Sequence, residues 1–225
     1  KFHAPVARRL FVIGLLLLLM LPTVEAQRKK VGVVLSGGGA KGVAHIGVLK
    51  VLEKAGIPVD VIVGTSMGSI VGGLYAIGYS ADQLDSLVRV QDWMFLLSDK
   101  VNRYDLPFGE KEQDGKYLLS VPFDRGKKRP SGFISGQNVY NLFSDLTIGY
   151  HDSLDFLQLP IPFACVAADM FHREEIVMKG GNLVQAMRAS MAIPGVFTPV
   201  RTEDRVLVDG GILNNFPTDV ARELG

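Results

Sequence analysis

Apolar residues along the chain alternate between short continuous runs and helical spacing. Residues 30–35 form a short β-branched run, and "VDVIVG" at 59–64 forms a second one. Between them, apolar residues recur every three or four positions over 41–55: Val43, Ile46, Leu49 and Leu52. Short apolar runs are typical of buried strands, and spacing of three to four residues is typical of an amphipathic helix. The pattern therefore predicts a βαβ unit with two parallel strands.

The same alternation continues to the end of the chain. The small-residue segment 66–79 predicts a helix, and Ser80 with Gln83 predicts a capping box for a helix through Val90. The other predicted elements are helices at 137–146 and 183–191 and strands "FACVAAD" at 163–169, "EEIVM" at 174–178 and "RVLVD" at 205–209. Glycine and proline interrupt 92–135, which predicts an irregular excursion near the site that could act as a lid. This order indicates a single α/β sandwich.

The amino terminus has a different pattern from the rest. Basic residues precede an apolar run at 10–21, and Val24 and Ala26 stand at the small-residue positions of a cleavage site. This predicts a signal peptide over 1–26 and a mature domain over 27–225. A membrane anchor is the alternative, but the run is shorter than the roughly 20 residues that cross a bilayer. The prediction is export, to the periplasm, outer membrane or cell surface.

Composition narrows the classes of protein. The 225 residues are 48% hydrophobic with a net charge of +1, which predicts a substantial core and gives no sign of nucleic-acid binding. Cys165 is the single cysteine, so the chain has no internal disulfide. Its apolar neighbours predict a buried, structural thiol. Trp93–Leu96 is interpreted mainly as core, with an interfacial lid as the alternative, and the basic run 127–129 as a solvated loop.

The segment 64–68, Gly-Thr-Ser-Met-Gly, matches G-x-S-x-G between a buried strand and a helix. That placement is typical of a nucleophile elbow, in which flanking glycines permit a sharp turn beneath an exposed serine, here Ser66. A tight turn with a serine cap is the alternative. Because a serine nucleophile needs a base, histidine is considered first. The four histidines lie outside recognisable motifs and are interpreted as packing or surface residues, with His172 retained for testing: His3, His45, His151 and His172.

Asp209 is the alternative base. It ends the strand "RVLVD", and we expect it to project at the sheet edge where Ser66 emerges. Gly210 and Gly211 let the chain turn away after it. Burial and the positive end of the helix after Ser66 would both favour proton transfer to this carboxylate. The competing interpretation is an ordinary Asp-Gly turn.

The loop "GGGAKG" at 37–42 contains G-x-G-x-x-G, a pattern shared by dinucleotide sites and other anion sites. A dinucleotide site requires an acidic residue at the far end of the second strand, whereas Asp60 opens that strand. A Walker loop is excluded because no Gly-Lys-Ser/Thr occurs. Backbone N–H groups beside a candidate nucleophile favour an oxyanion hole.

Taken together, these three motifs resemble the patatin-like phospholipase family from residue 30 to the end. The stretches "RASMAIPGVFTPV" at 188–200 and "DGGILNNFP" at 209–217 also look like the family and are expected to shape the site. The resemblance implies a three-layer α/β/α domain with a mainly parallel central sheet. It further implies a Ser-Asp dyad of Ser66 as nucleophile and Asp209 as proton acceptor. The implied oxyanion donors are Gly37, Gly38 and Gly39, and the supporting motif positions are Lys41, Gly42, Gly64, Gly68, Gly210 and Gly211.

The resemblance implies hydrolysis of phospholipid or other lipid acyl esters without a cofactor or metal. Transient contact with a membrane surface is expected, and a carboxyl-terminal membrane domain is an expectation for the full-length protein. Nucleic acid is not an expected partner. Two alternatives stay open: a non-catalytic lipid- or protein-binding domain on the same fold, and a nucleotide-binding oxidoreductase that uses the G-x-G-x-x-G loop.

Overall fold

The computed structural model of the chain describes residues 28–101 and 132–225. The predicted signal peptide at 1–26, the basic run at 127–129 and most of the predicted excursion at 92–135 lie outside the described residues. Among the residues described, no helix combines the length and the apolar character needed to cross a bilayer.

The described segments contain both strands and helices. The strands are β1 (Gly32–Leu35), β2 (Val61–Thr65), β3 (Gly132–Ile134), β4 (Leu154–Asp155), β5 (Phe163–Asp169), β6 (Glu174–Met178), β7 (Gly180–Gly181), β8 (Gly195–Phe197), β9 (Val200–Arg201) and β10 (Val206–Asp209). The helices are α1 (Ala44–Lys54), α2 (Met67–Ala76), α3 (Ala81–Val90), α4 (Trp93–Leu96), α5 (Gln137–Leu146), α6 (Leu183–Ser190) and α7 (Thr218–Leu224), with 3₁₀ turns at Gly39–Val43, Phe156–Gln158 and Gly210–Ile212.

The central sheet contains β1, β2, β5, β6, β9 and β10. β1 and β2 are parallel, as are β2 and β5, while β6 and β10 each run antiparallel to β5. β9 is antiparallel to β10 and so points the same way as β5. Four of these six strands therefore share one direction, which confirms a mainly parallel central sheet.

Side chains of the buried strands alternate between two apolar layers. Ile62 of β2 and Cys165 of β5 belong to the larger core, which packs against α1, α2, α5 and α6. Val63 and Val166 point to the opposite face and pack with Val220 of α7. Helices thus cover both faces of the sheet, and the predicted three-layer α/β/α domain is confirmed. Cys165 has no exposed surface, and burial raises the pKa of its thiol, as expected of a structural cysteine.

Most predicted elements are present with ends shifted by a few residues. The capping box of α3 forms as predicted, because Ser80 Oγ accepts from the Gln83 N–H and Gln83 Oε1 accepts from the Ser80 N–H. The predicted helix 41–55 instead begins as the 3₁₀ turn Gly39–Val43 before α1. The interpretation of Trp93–Leu96 as core holds for Leu96, which is 7% exposed, but is wrong for Met94, which is 84% exposed.

Candidate active site

Ser66 lies in the sharp turn between β2 and α2. Its backbone has φ 55° and ψ −122°, a conformation that costs a non-glycine residue about 1–3 kcal/mol. The motif glycines are required by close approach: a Cβ on Gly64 would overlap the backbone of Gly68, and one on Gly68 would overlap the carbonyl of Leu35. The predicted nucleophile elbow is therefore present, with the Ser66 hydroxyl held above the turn.

The hydroxyl of Ser66 donates a 2.5 Å hydrogen bond to Oδ2 of Asp209. Both residues are buried, at 5% and 6% exposure, and Oδ1 of Asp209 accepts from the N–H of Gly211 at 2.7 Å. Burial raises the pKa of Asp209, and the hydrogen bonds from Ser66 and Gly211 only partly oppose that rise. A carboxylate with a raised pKa is a stronger base than an ordinary surface aspartate.

Asp209 reaches Ser66 because the ends of β2 and β10 meet within the sheet. β6 pairs with Cys165–Asp169 on one edge of β5, so β2, which pairs with 163–166, and β10, which pairs with 167–169, must share the other edge. β2 and β10 run toward each other along that edge, and their carboxyl ends meet. The ends of β2 and β10 thus place Asp209 where Ser66 emerges. The two side chains meet inside the sheet.

Ser190, at the end of α6, supports the strained backbone of Ser66. Its hydroxyl accepts from the Ser66 N–H at 2.9 Å and donates to the carbonyl of Val166 at 2.6 Å. Ser190 has no exposed surface. Sequence reasoning selected the stretch 188–200 but did not single out this serine, because nothing in its local pattern shows which backbone group it faces.

The glycine loop lies directly against Ser66. A Cβ on Gly37 would lie 2.9 Å from the Cβ of Ser66, and one on Gly42 would lie 2.5 Å from the side chain of Met67. The Gly37 N–H donates to Oδ1 of Asn215 at 3.1 Å. The N–H groups of Gly38 and Gly39 have no acceptor within the described segments. The loop 37–42 thus lies against Ser66 at Gly37 and contains two backbone donors without an acceptor among the described residues.

The remaining motif positions lie around the same turn. Lys41 is exposed on the loop, and its N–H donates to the carbonyl of Gly38. A Cβ on Gly210 would overlap the carbonyl of Val166, and one on Gly211 would lie 2.9 Å from Oδ1 of Asp209. The structure therefore brings most of the predicted glycines together around Ser66 and Asp209, while Lys41 faces solvent. Asn215, from the stretch 209–217, is a further site residue that was not singled out.

Each described histidine hydrogen-bonds to a group other than Ser66. His45 contacts the carbonyl of Ser36, and His151 contacts the carbonyl of Ser144. His172 Nδ1 lies 2.6 Å from Oδ2 of Asp169 at the end of β5. Among the residues described, Asp209 is the group that contacts the Ser66 hydroxyl. Asp60 lies at the start of β2, where it binds Arg28 and the N–H of Val31, so it faces away from the glycine loop and does not fit a dinucleotide ribose site.

Asp169, His172 and Glu174 form a small cluster whose ligand-type atoms lie within 4.8 Å of one another. Burial alone would raise the pKa of Asp169, but hydrogen bonds from His172 and the N–H groups of Phe171 and Val206 outweigh it and lower the pKa to about 2. Both carboxylate oxygens are occupied by these donors. The hydrogen bonds to Asp169 account for the close spacing of the cluster.

An apolar cavity runs along α2, the helix that begins directly after Ser66. Four residues of one helix face line it over two turns, a rise of about 10 Å: Met67, Ile70, Val71 and Leu74. Side chains of α1, α3, α4 and α5 form most of the remaining lining, which is apolar apart from Gln91. Met191, which follows Ser190, also lines the cavity. An apolar space thus reaches Met67, the residue that follows Ser66.

The comparisons with known proteins agree with this geometry. The family model described as Patatin-like phospholipase matches residues 33–222. Patatin-like phospholipase domain-containing protein 6 of Mus musculus is 34% identical over 197 residues, which cover 87% of this chain and 13% of that protein. An uncharacterized NTE family protein of Mycobacterium tuberculosis is 32% identical over 192 residues, covering 85% and 28%. Lysophospholipase nte1 of Aspergillus fumigatus is 33% identical over 205 residues, covering 88% and 11%.

The chain therefore spans a minor part of the length of these curated relatives. Among solved structures, VipD from Legionella pneumophila matches with a TM-score of 0.54 and 17% identity, covering 84% of this chain and 47% of that one. At this identity the likeness concerns the fold alone.

Proposed function

The chain belongs to the patatin-like phospholipase family, and on this premise we propose that it hydrolyses lipid acyl esters with Ser66 as the nucleophile and Asp209 as its base. The observation that carries the proposal is the 2.5 Å hydrogen bond between the Ser66 hydroxyl and the buried carboxylate of Asp209. A serine hydroxyl bonded to a carboxylate of raised pKa has the adjacent base that activates a weak nucleophile.

Acylation begins when Ser66 Oγ forms a bond to the ester carbonyl carbon and its proton passes to Asp209. The carbonyl electron pair moves to oxygen, and the resulting oxyanion accepts hydrogen bonds from the glycine loop. When the intermediate collapses, the carbonyl re-forms and the bond to the alcohol oxygen breaks. The leaving alcohol takes the proton from Asp209, so the products are an acyl-Ser66 ester and a free alcohol.

Deacylation repeats these steps with water. Water attacks the acyl carbon as Asp209 accepts one of its protons, and a second tetrahedral oxyanion forms in the same site. Its collapse breaks the bond to Ser66 Oγ, which regains a proton from Asp209, and the fatty acid leaves. The dyad returns to its starting protonation state, so each cycle consumes one ester and one water.

The apolar cavity along α2 supports a lipid acyl chain as the part of the substrate that is bound. Burial of each methylene contributes about 0.8 kcal/mol, and the cavity lining offers little to a polar group. The relative from Aspergillus fumigatus is named a lysophospholipase, so a single-chain phospholipid is the first substrate to test.

We also propose that residues 1–26 direct export and that the protein contacts a membrane surface transiently.

Covalent labelling tests the nucleophile directly. A fluorophosphonate ester probe is expected to label the parent protein and not Ser66→Ala. Ser86→Ala is the matched control, because Ser86 is exposed on α3 and its hydroxyl donates to the carbonyl of Asp82 in the same helix. The parent and Ser86→Ala should also release fatty acid from lysophospholipid and diacyl phospholipid, and Ser66→Ala should not. Equal labelling of parent and Ser66→Ala would refute the assignment, and an unlabelled, inactive parent would favour a non-catalytic binding domain.

A further inference from the structure

The side-chain amide of Asn215 holds both backbone polar groups of Gly37. Oδ1 accepts from the Gly37 N–H at 3.1 Å, and Nδ2 donates to the Gly37 carbonyl over a longer distance of 3.4 Å. Because a backbone N–H can only donate and a carbonyl can only accept, Gly37 itself dictates which way the amide is turned. The Asn215 side chain thus fixes the backbone of Gly37, the first residue of the glycine loop.

Asn215 also stands where the three sequence motifs converge. Gly37 lies between it and the nucleophile, since a Cβ on Gly37 would be 2.5 Å from Asn215 Oδ1 and 2.9 Å from the Cβ of Ser66. A Cβ on Gly211 would be 2.9 Å from the same Oδ1 atom. Asn215 therefore fits against the loop and against the turn that follows Asp209, and glycine is required on both sides.

The segment that carries Asn215 is itself anchored. The hydroxyl of Thr65, which precedes the nucleophile, donates to the carbonyl of Asn214 at 2.9 Å. The side chain of Asn214 turns the other way and donates to Glu175 and Asp219. The position of Asn215 is thus coupled to the end of β2 and to the start of α7.

The three loop glycines differ in whether their backbone N–H groups are already hydrogen-bonded. The N–H of Gly37 is committed to Asn215, whereas those of Gly38 and Gly39 have no acceptor within the described residues. Oxyanion donors are effective when they are already oriented before charge develops. We propose that Asn215 is the positioning residue of the oxyanion loop, with Gly37 as its anchored end and Gly38 and Gly39 as its donors. The inference rests on the proposed hydrolase function.

Asn215→Ala in the full chain tests this role. Because the oxyanion exists only during reaction, kcat on a single-chain ester is expected to fall ~10- to 100-fold while KM changes less than ~3-fold. An alkyl boronic acid forms a tetrahedral adduct with the serine and places an oxygen at the oxyanion position. Its affinity is expected to fall by the same factor as kcat, an effect that a mere loss of stability does not produce.

Two further variants complete the test. Asn215→Ser has a hydroxyl too short to bridge both groups of Gly37, so the same losses are expected. Asn141→Ala is the matched control, with kcat and boronate affinity within about twofold of the parent, because Asn141 is exposed on α5 and its side chain accepts from Gln137 in the same helix. Since Asn215 is exposed, its truncation leaves the core intact.

Failure of this inference and failure of the proposed function give different experimental results. An active parent whose Asn215 variants keep kcat within about twofold overturns the inference and leaves the proposed function standing. A fall in kcat with unchanged boronate affinity overturns it as well. A parent that neither hydrolyses esters nor binds the boronate overturns the proposed function, and this inference with it.

Discussion

Ser66 and Asp209 are 143 positions apart in the chain and are joined by a 2.5 Å hydrogen bond between two buried side chains. They meet because β2 and β10 approach each other head-on along one edge of β5, where Thr65 pairs with Val166 and Asp209 with Ala167. The site is therefore built into the middle of the sheet, and its geometry depends on strand pairing more than on loop conformation.

Replacing the base tests the dyad. Asp209→Asn keeps the size of the side chain but cannot take the proton of Ser66, so kcat is expected to fall about 10²- to 10⁴-fold. His172→Ala is the control, because His172 bonds to Asp169 and not to Ser66. Hydrolysis of a lysophospholipid by parent and both variants provides the measurement. Loss of activity in His172→Ala with retention in Asp209→Asn would reverse the assignment.

Activity is expected to fall in acid with a midpoint above the ordinary aspartate range. Asp209 must be ionised to accept a proton, and burial raises its pKa. As pH falls through this raised pKa, the carboxylate becomes protonated and kcat/KM declines. A pH profile with an uncharged ester places the midpoint relative to the ordinary value of about 3.9. A midpoint at or below that value would contradict the effect of burial.

Ser190→Ala is expected to lower both the free energy of unfolding and kcat. The substitution removes the acceptor of the Ser66 N–H in a fully buried position, which costs about 1–3 kcal/mol in the free energy of unfolding. Urea unfolding measures that change, and kcat should fall because the Ser66 backbone is less constrained. Ser86→Ala, on the surface of α3, should change stability by less than about 0.5 kcal/mol. Equal effects of the two substitutions would show that Ser190 has no special role.

The glycines of the elbow should not tolerate a methyl group. Gly64→Ala and Gly68→Ala each place a Cβ into backbone atoms, so we expect neither variant to reach the native fold. Gly47→Ala is the control, because a Cβ there meets no atom within 4 Å and the residue lies inside α1. Alanine at this helical position should stabilise the protein by about 0.5–1 kcal/mol. Circular dichroism and thermal unfolding of the three variants provide the measurement.

Hydrolysis should increase with acyl chain length until the cavity along α2 is filled. At about 0.8 kcal/mol per methylene, kcat/KM rises by at most about fourfold for each added carbon. Ile70→Phe narrows the cavity and should shift the preference to shorter chains. Val48→Phe, on the exposed face of α1, should leave the profile unchanged. An acetate ester preferred over all longer esters would rule out this cavity as the acyl site.

The sequence by itself determined most of the secondary-structure elements of this protein and its family. Apolar periodicity located the buried strands and the helices, because each strand or helix shows its buried face in its own residues. G-x-S-x-G, the glycine loop and Asp-Gly-Gly identified the family, since sharp turns and close backbone approach restrict those positions to glycine. Ser66 and Asp209 followed from these motifs together with the absence of a histidine in any of them.

Only the tertiary structure decided how these parts meet. The pattern of "RVLVD" shows that a strand is buried but not which way it runs, so the antiparallel direction of β10 and its meeting with β2 were not predicted. Ser190 and Asn215 were not singled out for the same reason: a hydrogen bond to a backbone group over 100 residues away leaves no local pattern. The exposure of Met94 likewise depends on how α4 is placed, because hydrophobicity alone does not specify what covers a side chain.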